Sequence, residues 1–286
     1  MMTISRILFP VAFPTDFRAA VQYAAALARH FRSELVLLHV VAPQHSSYGG
    51  PDAAAAAVLA YSLDESSNFA TLLDDELRGL QATRVVLHGD PARKTVEYAH
   101  EERCGLILMS THGHGPIIRF LLGSVTAEVL HDSPVPVWIG PHMGQVPAAG
   151  SLHLRHVVCA VDLKPQSQEV VDWTAGVAEE FGSDMAIIHV IPSSIANPDE
   201  DFDSDWSVRI AGAARESIIA LQERAHAKGD KYIESGDVPG AVCEAAEWLH
   251  ADLLVIGHSS GPGLAARLGG NAYPILRDSP CAVVST

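Results

Sequence analysis

The chain has 286 residues, a length that fits one large domain or two of about 140 residues. Hydrophobic residues make up 48% of it and charged residues 19%, which is typical of a globular protein with ample core material. The formal net charge of −15 argues against sequence-independent binding of nucleic acid, because that binding needs an excess of Lys and Arg to neutralise phosphates.

The N-terminal stretch MMTISRILFP carries one Arg and lacks the apolar core and cleavage site of a signal peptide. Nor does any apolar run reach the ~18 residues that a membrane helix needs. The four cysteines form no C-x-x-C pair and have small or apolar neighbours, which favours buried free thiols over a disulfide or metal framework. These cysteines are Cys104, Cys159, Cys243 and Cys281. We therefore expect a cytoplasmic protein without a membrane partner.

Short runs rich in Val, Ile and Leu alternate with helical patterns along the first half of the chain. They predict strands over Ile7–Val11, Leu35–Val41, Thr83–Leu87, Leu106–Met109 and Val135–Ile139. The runs are continuously apolar, which is typical of parallel strands covered on both faces. The stretch DFRAAVQYAAALARHF predicts a helix whose apolar stripe consists of Val21, Ala24, Ala25, Ala28 and Phe31. A second helix is expected to begin at Pro91, since proline suits the first helical turn.

The last predicted strand, VPVWIG, contains Pro136, which a strand tolerates only at the edge of a sheet. An edge strand has unpaired backbone groups that must be covered or paired. The sequence ends in the similar run CAVVST. We therefore expect two halves of the chain to pair through these strands, edge to edge, as an internal pseudo-dimer.

The chain is an internal repeat. RILFPVAF at Arg6–Phe13 matches HVVCAVDL 150 residues later, and ELVLLHVV at Glu34–Val41 matches DMAIIHVI at the same separation. Matches further along the halves are separated by 147 and then 146 residues, as expected for a duplication with small deletions. His39 and His189 occupy matched strand ends and are interpreted as packing or pocket-wall residues.

The Gly-, Pro- and Ala-rich stretch PHMGQVPAAGSLH separates the two halves and predicts a linker. We therefore expect domains over residues 1–142 and 155–286, joined by residues 143–154. In the second half the acidic run NPDEDFDSDW (Asn197–Trp206) lacks the spacing and the glycine of an EF-hand, so it predicts a solvated loop.

Alternating strands and helices indicate an open, doubly wound α/β sheet, in which ligands bind beyond the carboxyl ends of the strands. The stretch STHGHGPIIRFLLGS (Ser110–Ser124) directly follows the fourth predicted strand. It could be a phosphate-binding loop, a His-x-His metal site or a turn that needs glycine. Two histidines in a glycine loop fix no metal geometry and have no Cys or carboxylate near them in sequence. Phosphate binding is therefore favoured, and no metal site is predicted.

The sequence resembles the universal stress protein family in its tandem form over nearly the whole chain. The resemblance rests on the first-strand turn, the LLHV of the second strand, the GDPA before a helix, the spaced glycine loop and the DSPVPV ending. It implies that each half is a five-stranded, mainly parallel sheet in the order 3-2-1-4-5, flanked by helices. It also implies a stress-response regulatory protein that binds ATP or a related adenine nucleotide, with or without Mg²⁺, and that is not an enzyme.

In ATP-binding members of that family the glycine loop holds the phosphates, and the first-strand turn and second strand hold the adenosine. Carried over to the first half, the site residues are Pro10, Val11, Val40, Ser110, Thr111, His112, Gly113, His114, Gly115, Pro116, Arg119, Gly123, Ser124 and Val125. In the second half they are Asp162, Val190 and Gly257. Ser124 would also cap the helix that follows the loop.

Each half departs from the family pattern at a different place. The first half has Ala12 where the family has an acidic residue for the ribose, and Ser110 where it has the first loop glycine. The second half keeps the acid, Asp162, but has Ser260 for a loop glycine and Asn271 for the hydroxyl residue. We therefore expect the nucleotide mainly in the first half. The alternative is that both sites have decayed and the protein acts through protein partners; weak ATPase activity and a homodimer of the chain also stay open.

Overall fold

The computed structural model describes residues 2–11, 18–42, 74–110, 123–140, 152–196, 204–257 and 270–286. In the first half the elements are β1 (Arg6–Val11), α1 (Arg18–Phe31), β2 (Glu34–Val41), β3 (Ala82–His88), α2 (Pro91–Glu101), β4 (Leu106–Ser110), α3 (Ser124–Asp132) and β5 (Val137–Gly140). In the second half they are β6 (His156–Ala160), α4 (Ser167–Phe181), β7 (Asp184–Pro192), α5 (Ser193–Ala196), α6 (Ser204–Arg224), β8 (Asp230–Gly236), α7 (Val238–Trp248), β9 (Leu253–Ile256), α8 (Ala272–Asp278) and β10 (Ala282–Ser285).

All ten strands form one sheet in the order β3-β2-β1-β4-β5-β10-β9-β6-β7-β8. Within each half the strands are parallel and follow the order 3-2-1-4-5, as the resemblance implies. Between the halves β5 and β10 run antiparallel, with Trp138 opposite Val284. The prediction that the two halves pair through their last strands is confirmed.

The predicted position of Pro136 inside the last strand of the first half is wrong. The fifth strand begins at Val137, not at Val135, so Pro136 precedes the strand instead of lying inside it. Proline cannot donate a backbone hydrogen bond, but the Pro136 carbonyl still accepts one from the Ile107 N–H at 3.0 Å. The proline therefore marks the start of β5, and β5 itself lies in the middle of the joined sheet.

Helices cover both faces of the sheet, so successive residues of a strand are buried against different layers. In β1, Ile7 and Phe9 belong to the core layer that includes α1, α4 and α6, whereas Leu8 belongs to the layer that includes α2, α3, α7 and α8. The predicted apolar stripe of α1 is buried except at Phe31, which is half-buried. This two-sided burial explains why the strand sequences are apolar throughout instead of alternating.

Local signals set the ends of the helices. The Asp90 side chain accepts a hydrogen bond from the Arg93 N–H at 2.8 Å and caps α2, with Pro91 in its first turn as predicted. Helix α4 ends at Gly182, whose φ of 66° is the left-handed conformation that glycine adopts without strain.

Trp138 is fully buried at the junction of the halves, and its ring meets Tyr23 of α1 and Trp173 of α4 edge-on, with centroids 6.5 and 6.4 Å away. The four cysteines are free, and three of them are buried, as predicted. Burial raises the pKa of the Cys159 thiol to about 12, so it stays protonated at neutral pH. Among the described residues, no helix is both long and apolar enough to cross a membrane.

Candidate functional site

The carboxyl ends of the parallel strands form one edge of the sheet, and the described site residues of the first half lie along it. Pro10 and Val11 end β1, Val40 lies on the neighbouring β2, and Ser110 ends β4. Much of the predicted loop lies outside the described residues. These positions are Thr111, His112, Gly113, His114, Gly115, Pro116 and Arg119, together with Ala12 beyond β1.

The far end of the predicted loop is described, and it corrects one prediction. Gly123 is the N-cap residue of α3, with φ −61° and ψ 149°, and Ser124 is the first helical residue. A cap must stand outside the helix with extended backbone, so Ser124 is one residue too late for that role. Ser124 is exposed, and Val125 behind it is half-buried.

The second half has a cavity of about 830 Å³ at the same edge of the sheet, beyond β6, β7 and β9. The three residues predicted for this half, Asp162, Val190 and Gly257, all line it. They arrive from three different strands, because the carboxyl ends of neighbouring parallel strands meet at one edge. A Cβ atom on Gly257 would lie 3.1 Å from Cγ2 of Val170, so this position has little room for a side chain.

Asp162 is held by the turn that follows β6. Its Oδ1 accepts hydrogen bonds from the Lys164 N–H at 3.0 Å and the Ser167 hydroxyl at 3.1 Å. The Lys164 ammonium lies 2.9 Å from Oδ2. Burial alone would raise the pKa of Asp162, but the hydrogen bonds from Lys164 and Ser167 and the lysine charge outweigh it, and the pKa lies below its ordinary value. The carboxylate is therefore ionised at neutral pH and already oriented by its neighbours.

The same turn contains a strained residue. Leu163, between Asp162 and Lys164, has a φ of 60°. A residue other than glycine loses about 1–2 kcal/mol in this conformation. The Asp162 side chain holds the turn closed by accepting from the Lys164 N–H. Strain of this kind is frequent where a fold must orient a side chain for a ligand.

The matched histidines have one role in both halves. The Nδ1 atom of His39 lies 3.0 Å from the Val11 carbonyl oxygen, and that of His189 lies 2.8 Å from the Val161 carbonyl oxygen. Because a carbonyl oxygen only accepts, Nδ1 donates in each case. His39 is buried and His189 lines the cavity, so the interpretation as packing or pocket-wall residues is confirmed.

The sequence analysis missed many of the residues that line this cavity, including two polar neighbours of Asp162 and two isoleucines of the following helices. Lys164 and Ser167 directly follow Asp162 in the run DLKPQS, so their proximity to the carboxylate was the available signal. Ile195 of α5 and Ile210 of α6 also line the cavity. They flank the acidic run that predicted a loop, yet its last residues, Ser204 to Trp206, already belong to α6. Among the described residues no group of three or more His, Cys, Asp or Glu could hold a metal ion.

The model of the universal stress protein family matches residues 3–141 and again residues 153–285. Universal stress protein A homolog 1 of Coxiella burnetii is 32% identical over 139 residues, covering 47% of this chain and 96% of that protein. The crystal structure of a universal stress protein from Archaeoglobus fulgidus covers 99% of this chain and 96% of its own, with a TM-score of 0.70 and 21% identity. Another solved universal stress protein, in complex with cAMP, covers 46% of this chain and 95% of its own, with 23% identity and a TM-score of 0.36.

Proposed function

The chain belongs to the universal stress protein family, and we propose that it is a regulatory protein that binds an adenine nucleotide without turning it over. The observation that carries the proposal is the cavity at the carboxyl edge of β6, β7 and β9, with the ionised Asp162 on its wall. Its volume of about 830 Å³ lies within the range of ~300–1,000 Å³ that is common for small-molecule pockets.

The cavity fits the adenosine part of a nucleotide in its chemistry. Val161, Ile188 and Val190 give it an apolar wall suited to a purine ring. Asp162 offers carboxylate oxygens, and a carboxylate accepts hydrogen bonds from both hydroxyls of a ribose. The carboxylate is held in place by Lys164 and Ser167, so binding costs little conformational entropy of this side chain.

The phosphates have candidate partners in both halves. In the second half the exposed Lys164 ammonium stands beside Asp162 at the cavity and can pair with a phosphate. For the first half we retain the glycine loop as the main phosphate site, with the backbone of Ser110–Pro116 and Arg119 as contacts. In sequence this loop joins the end of β4 to the start of α3. Ligands of such a sheet bind at the carboxyl ends of the strands, and β4 ends there.

We propose further that the two functional units are residues 1–142 and 155–286. Their sites then differ in chemistry, because only the second unit has an acid at the ribose position and only the first has Gly113 in the loop. A nucleotide that depends on the ribose contact would prefer the second unit, and one that depends on its phosphates would prefer the first.

Isothermal titration with ATP, ADP, AMP and adenosine, each with and without Mg²⁺, tests the proposal. Asp162→Ala should weaken adenosine and AMP about tenfold or more, since it removes a charge-assisted partner of the ribose hydroxyls. Asp230→Ala is the matched control, because Asp230 is an exposed acid at the opposite end of a strand of the same half. Substituting Gly113 with Leu should affect ATP more strongly than adenosine.

Two results would overturn the proposal. The first is the absence of heat with every adenine compound, together with no nucleotide in the mass spectrum of the purified protein. In that case the alternative, action through protein partners with decayed sites, takes its place. The second is steady phosphate release from ATP that depends on Arg119 or Ser124, which would make the protein an ATPase.

A further inference from the structure

Strand β8 is one outer edge of the ten-stranded sheet, and no strand of the described chain pairs with its outer side. The backbone N–H and C=O groups along such an edge can pair with an extended segment of another chain. Helix α7 packs on one face of β8 and leaves this edge open to a further strand. The side chains beside the edge therefore decide what kind of chain can pair there.

An exposed tryptophan lies beside this edge. Trp248, at the end of α7, is 48% exposed, although tryptophan is on average a well-buried residue. Its ring packs edge-on against Tyr232 of β8 with a centroid distance of 4.8 Å, which holds it next to the edge strand. The face of an indole ring attracts the cationic groups of Lys and Arg. The position therefore suits a partner that carries a cation.

Carboxylates accompany the two aromatic rings. Glu244 lies one turn before Trp248 on the same side of α7, and Glu234 lies two residues after Tyr232 on the same face of β8. Glu247 adjoins Trp248 in sequence. The three carboxylates are exposed, and none of them has an ion pair or hydrogen bond within the described ranges. We name these five residues the β8 surface.

The nearest cations in the sequence of these elements have other partners. Lys231 lies on the opposite face of β8, where its ammonium donates to Oε1 of Gln222 at 2.9 Å. Arg277 of the neighbouring α8 is paired with Asp278 at 2.7 Å. The negative charge of the β8 surface is therefore not compensated by these residues.

The internal repeat shows that the fold does not require unpaired carboxylates at this place. The counterpart of Glu244 in the first half is Glu97 of α2, 147 residues earlier. Glu97 is neutralised within its own helix by Arg93 at 2.9 Å and Lys94 at 2.7 Å. The positions of these two cations are occupied in α7 by Gly240 and Ala241.

The exposed ring is also specific to the second half. The residue at the position of Trp248 in α2 is Glu101, and the residue at the position of Glu234 in β3 is Leu87. Strand β3 is the other outer edge of the sheet, so the two edges have the same backbone but different side chains. Packing of the fold alone does not account for an exposed tryptophan among uncompensated carboxylates at one edge.

We propose that the β8 surface binds an extended, cationic segment of another protein, which adds to the sheet as a further strand. Its backbone would pair with the outer N–H and C=O groups of β8, and its alternate side chains would lie on the α7 face. Lys or Arg at these alternate positions would meet Glu234, Glu244 and the ring of Trp248. A second copy of this chain is a poorer occupant, because two chains of net charge −15 repel each other.

Fluorescence anisotropy in low-salt buffer, with a labelled and end-capped peptide of alternating Lys and Val, tests this proposal on the full chain. Glu244→Lys should weaken binding about tenfold, because it turns an attraction into a repulsion. Glu216→Lys is the matched control, since Glu216 is an exposed acid of α6 on the other face of the sheet and its exchange alters the net charge equally. The control should stay within about a factor of two of the unmodified protein.

Two further variants separate the charge from the ring. Ala241→Lys rebuilds the arrangement of the first half, where Lys94 pairs with Glu97 three residues later. It should weaken the peptide about threefold, because the new ammonium competes for Glu244. Trp248→Val should also weaken it about threefold, because it removes the ring that faces the cation.

Modified peptides test the pairing of the backbone. N–H groups of alternate residues point to the same side of a strand. N-methylation of one alternate set of residues should therefore abolish binding, whereas methylation of the other set should leave it within about threefold. A peptide of the same composition with all Lys before all Val should bind more weakly than the alternating one, because fewer of its cations lie on the α7 face.

The inference is overturned if the alternating peptide does not bind, or if Glu216→Lys loses as much affinity as Glu244→Lys. Equal effects of the two N-methylated peptides would also contradict it, because they would show that the edge of β8 is not used. If light scattering without peptide shows that Glu244→Lys or Trp248→Val changes the oligomeric state, the occupant is a second copy of the chain and the proposed partner is wrong.

Discussion

In the first half the Ser33 hydroxyl donates to the carbonyl oxygen of Ile4, and in the second half Ser183 donates to that of Leu154 at 2.6 Å. The turn before the last strand of each half also contains the same hydrogen bond. The Ser133 hydroxyl donates to the Val135 carbonyl at 2.6 Å, and the Ser279 hydroxyl donates to the Cys281 carbonyl at 3.1 Å. These side chains satisfy backbone groups at the ends of strands and helices, where the regular pattern of hydrogen bonds stops.

The residues that face cavities differ between the halves. Asp162 in the second half stands where the first half has Ala12, and Arg29 and His30 in the first half stand where the second half has Glu179 and Glu180. The two halves therefore share the side chains that satisfy backbone groups, whereas several side chains that line cavities differ between them. The fold can therefore be read from the repeat, but the chemistry of each half must be read separately.

Trp138 is the largest break in the symmetry of the core. It lies directly opposite its own repeat counterpart, Val284, at the pairing of β5 and β10. Trp138→Val would make the two positions equal, but it would leave a cavity between Tyr23 and Trp173. We expect the free energy of unfolding to fall by about 2–4 kcal/mol, measured by urea denaturation.

The control for Trp138→Val is Trp248→Val, because Trp248 is 48% exposed and packs edge-on against Tyr232. This change should lower the free energy of unfolding by less than about 1 kcal/mol. If the two variants lose the same stability, Trp138 does not hold the junction, and the symmetric arrangement packs equally well without it.

The helix caps test whether equivalent positions are also equivalent in energy. Asp90 accepts from the Arg93 N–H at 2.8 Å, and Asp237 accepts from the Gly240 N–H at 3.0 Å. Replacing either residue with Ala should lower the free energy of unfolding by about 1 kcal/mol, because the first turn loses its side-chain acceptor. Asn keeps that acceptor, so both Asp→Asn variants should stay within about 0.5 kcal/mol of the unmodified protein. A large effect in one half alone would show that the halves do not share this bond energetically.

Most of the fold could be predicted because its sequence signals are local and occur in both halves of the chain. Continuous apolar runs gave the strands, and the similar endings at Val137 and Ala282 gave the pairing of the halves. The errors came from positions where one residue has two meanings. Pro136 is compatible with a place in an edge strand or just before a strand, and Ser124 with an N-cap or with the first residue of a helix. The backbone conformation decides between these positions, and the sequence alone does not give it.

Less of the candidate site could be predicted. Asp162, Val190 and Gly257 converge on one cavity as the resemblance implies, because strand ends fix their positions. Ile195 and Ile210 reach that cavity from helices that follow β7, where the sequence has no motif and no alternation to indicate a wall. The cavity of about 700 Å³ between the end of α1 and the chain before β6 depends on a contact between the halves that no local pattern encodes.

The smallest expected effect concerns the charge of Asp162, which has no counterpart at Ala12. Because the pKa of Asp162 is lower in the folded protein than in the unfolded chain, its ionised form stabilises the fold above the unfolded pKa of about 3.9. That contribution is lost as the pH falls through the folded pKa. Asp162→Asn should therefore lower the urea midpoint at pH 6, and the difference should close below about pH 4. The side chain is 57% exposed, so the effect should be smaller than that of the helix caps. Asp230→Asn, which removes an exposed charge from the start of β8, controls for the change in net charge; a difference for Asp162→Asn that persisted unchanged to pH 3 would show that the carboxylate charge does not hold this turn.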